Sequence, residues 1–270
     1  MRVVCSPLAS RLPSTYPAIV HRWLYDKPGI LHRDLSLRNI MCRIEEGINA
    51  KGQQERKVYG VLTDYDLSSW TEHLKGDYTR TSQQRTGTPP YMAQELLEPK
   101  CTNHLYRHDV ESLFYVMLLM CGRHTFSNAK DEEATRRVVM RNDFLPYKDW
   151  FGEQNYEKLG SIKRDFILQK KAIYVSEDFK DFHQWLTDIR FCFGEGFTLK
   201  LNSRRNQERP SWKLIKGAES APLDDETLGD NVGYSTIIDS IPHLEGELKG
   251  LIIRYNPYPK GELEGLDPLQ

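Results

Sequence analysis

Residues Leu31-His32-Arg33-Asp34-Leu35-Ser36-Leu37-Arg38-Asn39-Ile40-Met41 constrain this chain more than any other stretch of it. They set a carboxylate, Asp34, five positions before a carboxamide, Asn39, on what must be a short, tight loop. An Asp so placed can accept or steer the proton of an attacking hydroxyl. An Asn five positions on can reach a phosphate-bound metal from the other side of the loop.

Composition narrows the classes. The chain has 270 residues, with 37 Lys plus Arg against 38 Asp plus Glu, a formal net charge of -1. Without a basic excess, neither nucleic acid nor an anionic membrane is expected as the main partner. A hydrophobic fraction of 39% with fourteen Tyr and five Trp is ample for a packed core, so the chain is not disordered. Five cysteines, Cys5, Cys42, Cys101, Cys121 and Cys192, never fall in C-x-x-C spacing, which fits a reducing compartment and neither a disulfide framework nor a zinc site. The first residues are too soon broken by Pro7 to form a secretory signal. The longest apolar stretch, Leu113 to Cys121, is half of the roughly 20 residues a membrane span needs. An intracellular protein, cytoplasmic or nuclear, is the expectation.

Arg2–Ser6 reads as a short β-like run stopped by Pro7, and Ile19–Tyr25 as a helix ended by Lys27-Pro28-Gly29. Asn39–Ile44 and Val58–Leu62 read as strands joined by an extended polar loop over 45–57. Residues 66–106 lack periodicity, and a span of that length is uncommon unless it serves a function. Asp109–Cys121 is apolar on nearly every face, the mark of a helix at the centre of a domain. Phe179, Phe182, Trp185, Leu186, Ile189 and Phe193 recur at helical spacing. Ser176 is the expected N-cap, and Gly194 with Gly196 the expected stop.

Four further pieces follow this loop in the sequence. Asp64, in Leu62-Thr63-Asp64-Tyr65-Asp66-Leu67, follows an apolar strand and is either a metal ligand or a turn former. Thr86-Gly87-Thr88-Pro89-Pro90-Tyr91-Met92-Ala93-Gln94-Glu95 taken alone is an ordinary turn. Asp109 reads as a helix cap, and Arg209, near Arg204 and Arg205, as a solvated charge.

Together these motifs resemble the eukaryotic protein kinase superfamily. More narrowly they are similar to the fungal-type protein kinase family, through the residues Gly29–Ser36, Asp64–Leu67, Arg107–Val116 and Asp225–Gly229. The resemblance implies an α+β, mainly α fold: a kinase-like C-terminal lobe, helical, with a small β-hairpin carrying the catalytic and metal loops. Residues 1–10 would be the last N-lobe strand and hinge, 11–216 the lobe, and 217–270 a C-terminal extension. It also implies roles. Asp34 would be the catalytic base, Arg33 would steady the activation segment, and Asn39 and Asp64 would hold Mg²⁺ under ATP. Thr88 would seat the substrate hydroxyl near Asp34. His32, Glu95, Asp109 and Arg209 would be structural, with Asp109 taking hydrogen bonds from the catalytic-loop backbone and Arg209 pairing with Glu95. Thr79, Thr81, Ser82 and Thr86 are candidate phosphorylation sites whose phosphate could meet Arg33.

The sequence departs from the family's pattern in places. Ser36 stands where many Ser/Thr kinases have Lys, Asp66 where D-F-G has Gly, and Gln94 where A-P-E has Pro. A Gly-rich loop, strand Lys and helix Glu have no place ahead of residue 1, so the expectation is a lobe with its N-lobe truncated, weak or inactive by itself. Three readings follow. The first is an ATP-dependent protein serine/threonine kinase acting on a protein substrate, and the second a pseudokinase that binds a partner protein. The third, a small-molecule phosphotransferase, is disfavoured by the 86–95 stretch.

Overall fold

The computed structural model of the chain describes residues 15–48, 52, 54–71, 87–99, 103–126, 138–140, 147–168, 172–207, 223–234 and 236. Helix α1 (Thr15–Asp26) comes first and is longer at its start than the expected Ile19–Tyr25. Strand β1 (Ile30–Leu31) leads into the Asp34 loop, which closes in a single 3-10 turn over Leu37–Asn39. Strands β2 (Ile40–Ile48) and β3 (Gln54–Leu62) form a hairpin, and β4 (Ser69–Trp70) returns to pair antiparallel with β1.

The hairpin differs from the sequence expectation. Pairing runs from Ile40↔Leu62 out to Ile48↔Gln54, so Glu45 to Lys57 is not an extended loop but largely ladder. Glu45, Glu46, Gly47 and Ile48 are exposed. A ladder is closed by backbone hydrogen bonds, and alternation in sequence reports only that one face is buried. A hairpin end in solvent has no such face to report.

Helix α2 (Tyr106–Arg123) is the axis of the molecule, and every residue in it but Met120 is buried. Asp109 does not open it. The helix begins three residues earlier, where the Glu226 carboxylate accepts a hydrogen bond from Tyr106 N at 2.9 Å and so serves the positive end of the helix. The short pair β5 (His124–Phe126) and β6 (Val138–Met140) follows, then α3 (Tyr147–Gly152) and α4 (Tyr156–Leu168). On α4, Leu159, Lys163, Phe166 and Ile167 form the buried face. Trp150 of α3 sits edge-on to Tyr115 and Phe166, with centroids 4.9 and 5.3 Å away, and each such buried ring contributes about 2–3 kcal/mol.

Ser176 opens a 3-10 turn over Glu177–Phe182 without a side-chain cap, and the α-helical part, α5 (His183–Gln207), starts after it. Gly194 and Gly196 do not stop α5; it runs on to Gln207. Gly196 is there for closeness instead: a Cβ would meet Leu228 Cβ at 2.8 Å. That contact lets the 223–236 segment, expected within a C-terminal extension, bury Leu228 and Val232 completely against the helical core. The described chain is thus mainly helical with three two-stranded antiparallel pairs, as an α+β chain should be. No helix among the described residues is long and apolar enough to cross a membrane.

Candidate active site

The Asp34 loop is shaped by a residue 76 positions away in sequence. Asp109 is fully buried, and its carboxylate accepts hydrogen bonds from His32 N at 2.8 Å and Arg33 N at 3.2 Å. His21 and His104 add ring contacts at 2.9 and 2.7 Å. Burial alone would raise the Asp109 carboxyl; His104 and His21 hold it well below the usual range. Arg33 takes a left-handed backbone, φ 69°, which costs a non-glycine residue about 1 kcal/mol or more, and the bonds to Asp109 maintain it.

With the loop fixed, the Asp34 carboxylate is held from two sides. Its Oδ1 accepts from Thr88 N at 3.0 Å and Thr88 Oγ1 at 3.1 Å, and its Oδ2 accepts from Asn39 Nδ2 at 3.1 Å. Asn39 Nδ2 also donates to Asp34 O at 2.8 Å, so both amide protons go to Asp34 and Oδ1 is the acceptor of this side chain. His32 Nε2 meets Thr63 O at 3.1 Å while Nδ1 accepts from Asp34 N at 3.4 Å, a pattern that needs the neutral Nε2–H tautomer. Burial lowers His32 from its ordinary value and favours that form.

The hairpin brings Asp64 to the same place. Thr63 N and Oγ1 both donate to Asn39 O, at 2.9 and 3.2 Å, directly before Asp64. Asp64 itself has φ 65° and an exposed side chain, and the Tyr65 ring packs on His32 at 4.9 Å. Among the described residues no group of three or more His, Cys, Asp or Glu is gathered to hold a metal. The Asn39 amide oxygen and the Asp64 carboxylate are two hard oxygen donors, a set that suits Mg²⁺ with phosphate and water completing its coordination.

From Thr88 the chain turns, with Tyr91 N and Met92 N donating to Thr88 O at 2.8 and 3.1 Å, and reaches a 3-10 turn at Glu95–Leu97. Glu95 pairs with Arg107, with Lys200 at 3.0 Å, and with His108 at 3.5 Å. Burial opposes its charge, but these donors hold its carboxyl far below the ordinary range. His108 is pushed down to about 3, burial being the main cause, so it contributes as a neutral donor. The expected Arg209 half of a Glu95 pair lies outside the described residues, as do Thr79, Thr81, Ser82, Thr86 and residues 1–10. Gln94 N donates to Glu111 Oε1 at 2.8 Å, and Tyr115 OH to the same atom at 2.6 Å.

Sequence reasoning missed Arg107, Glu111, Lys163, Lys200, His21 and His104 in this support. Only Arg107 and Glu111 carried a signal, since both lie in the Arg107–Val116 string. The structure brings His32, Arg33, Asp34, Asn39, Asp64, Thr88 and Asp109 to one place, with Glu95 at the far end of the turn.

The Asp34 carboxylate, bonded on both oxygens, thus lies with Asn39 and the hairpin end that carries Asp64. Residues 18–121, which hold His32, Arg33, Asp34, Asn39, Asp64, Thr88, Glu95 and Asp109, match the family model described as fungal protein kinase; this supports a fungal-type protein kinase family and suggests a kinase-like function. No curated protein matches it.

Proposed function

We propose that this chain carries the hydroxyl-activating half of a protein serine/threonine kinase, built on a kinase-like C-terminal lobe. One observation carries the reading: Asp34 Oδ1 is occupied twice by Thr88 and Oδ2 once by Asn39, which leaves one acceptor site on Oδ2. A Ser or Thr hydroxyl of a protein substrate would donate there. Asp34 takes the proton that the hydroxyl loses as its oxygen bonds to the γ-phosphorus of ATP and the bond to the leaving ADP oxygen breaks. Thr88 keeps the carboxylate turned toward that hydroxyl. Asn39 Oδ1 and Asp64 would hold Mg²⁺, which when bound neutralises charge on the phosphate oxygens. Thr79, Thr81, Ser82 and Thr86 are the candidate phosphorylation sites, with Arg33 as the cation to meet a phosphate.

The exposed side chains of Met41, Tyr65, Leu67 and Trp70 favour one second reading, a pseudokinase module that docks a protein and transfers nothing. The test is Mg²⁺-dependent transfer from γ-labelled ATP to a Ser/Thr protein substrate. The kinase reading expects transfer in which Asp64→Asn raises the Mg²⁺ concentration required. Absence of both transfer and nucleotide binding would leave the docking module as the better account.

A further inference from the structure

The least expected charge in the molecule is Lys163. It lies on α4 with no exposed surface, and its ammonium donates to three backbone carbonyls: Pro89 O at 3.0 Å, Pro90 O at 2.9 Å and Met92 O at 2.5 Å. The ring centroids of Tyr115 and Trp150 stand 4.3 and 5.2 Å from the same nitrogen. An ammonium has three protons, and all three are used.

A buried ammonium is expensive unless its surroundings compensate it fully, so an apolar residue here would be the cheaper way to fill space. The carbonyls explain the lysine. Pro89 and Pro90 have no N–H, so at these two positions only the carbonyls can take a restraint. Gly160 lets α4 come near enough, since a Cβ there would meet Gln94 O at 3.1 Å and Leu97 Cβ at 3.2 Å. Lys163, three residues on, then reaches the two prolines.

The far end of the same stretch is Thr88, bonded through N and Oγ1 to Asp34 Oδ1. We propose that Lys163 is a positioning residue for the site: by gathering the carbonyls of Pro89, Pro90 and Met92 it fixes the segment after Thr88 relative to Asp34, and so sets how a protein substrate lies beside the carboxylate. Burial works against the Lys163 charge and Glu111 offsets this only in part, since burial also opposes its own; Glu111 is held by Gln94 N and Tyr115 OH. Lys163 lies beyond the 18–121 match, so the match does not account for it.

The proposal rests on the phosphotransfer reading for its consequence but not for its test. In Lys163→Met the side chain keeps its length and loses its donors. Hydrogen exchange of the full chain should then show peptides over 87–95 exchanging about 10- to 100-fold faster, the factor expected for loss of charge-assisted hydrogen bonds, with peptides over 183–207 unchanged. Unchanged exchange at 87–95, or equal acceleration at both places, overturns it. If Lys163→Met does not fold, Lys163→Gln is read by the same two regions. Where the wild type transfers phosphate, Lys163→Met should raise the KM for protein substrate about tenfold and leave the KM for ATP unchanged; an unaltered protein KM overturns the positioning role. A wild type that transfers nothing refutes the phosphotransfer reading alone, and exchange still decides Lys163.

Discussion

The loop around Asp34 and the segment from Thr88 to Glu95 face each other across one carboxylate, yet they are held by different means. Asp34 takes Asn39 from five positions on, and its loop is closed by the adjacent hairpin. Glu95 takes Arg107 from the start of α2 and Lys200 from 105 residues away, while Lys163 reaches back more than 70 residues to the prolines. Chemistry sits in a short string of residues; the support that aims it is recruited from the rest of the fold. The loop itself is tied over long range at two points, its backbone by Asp109 and the Asp34 carboxylate by Thr88.

The comparison is broken most severely at Asp109. Asp109→Ala should leave His21, His104 and two loop amides without their acceptor, at a cost of about 3–5 kcal/mol in urea unfolding. A loss below about 1 kcal/mol would mean the loop holds its own shape.

Next comes Glu111, where sign matters. Burial pushes its carboxyl up to about 7, above the ordinary 4.5 of the unfolded chain, against Tyr115, Gln94, Arg107 and Lys163, which pull it down. Its neutral form is therefore favoured by folding, and the stability this gives is whole below about pH 4.5 and lost as pH rises through about 7. Glu111→Gln stays neutral throughout. The variant should gain on the wild type by about 3 kcal/mol across that window, and parallel stability curves would contradict it.

Glu95→Gln should cost about 2 kcal/mol, less than the cost at Asp109 because Glu95 reaches the surface at one edge. Its depressed carboxyl contributes stability that is whole above the unfolded value, so the gap between variant and wild type should start to narrow below about pH 4.5 and close only far below the ordinary carboxylate range. Gly196→Ala sharpens the account of the 223–236 segment. The added methyl would drive Leu228 away at about 1–2 kcal/mol despite the better helix former, and proteolysis should then find that segment first. Smallest of all, Arg22→Ala removes the pair with Asp26 and the cation–π contact with Tyr106, and should change stability by about 1 kcal/mol or less.

What was legible in the sequence follows the same division. Asp34, Asn39, Asp64, Thr88 and Asp109 could be singled out because each stands in a string that resembles a kinase motif; taken alone, Asp64, Thr88 and Asp109 read as turn or cap residues. Lys163, Lys200 and Glu226 look like ordinary surface charges until the fold carries them to Pro89, Glu95 and the start of α2. Gly194 and Gly196 were expected to stop a helix because glycine weakens one; packing against neighbouring elements outweighed that preference. The outer half of the β2–β3 hairpin was hidden because residues in solvent carry no alternation.

The most direct test of the central claim pairs two numbers for one variant, Asp34→Asn: its phosphoryl-transfer rate and its unfolding free energy. The account predicts a rate lower by about 10²- to 10⁴-fold with stability within about 1–2 kcal/mol of wild type, since the amide keeps the Thr88 contacts and loses the base. A rate that survives the substitution would contradict it.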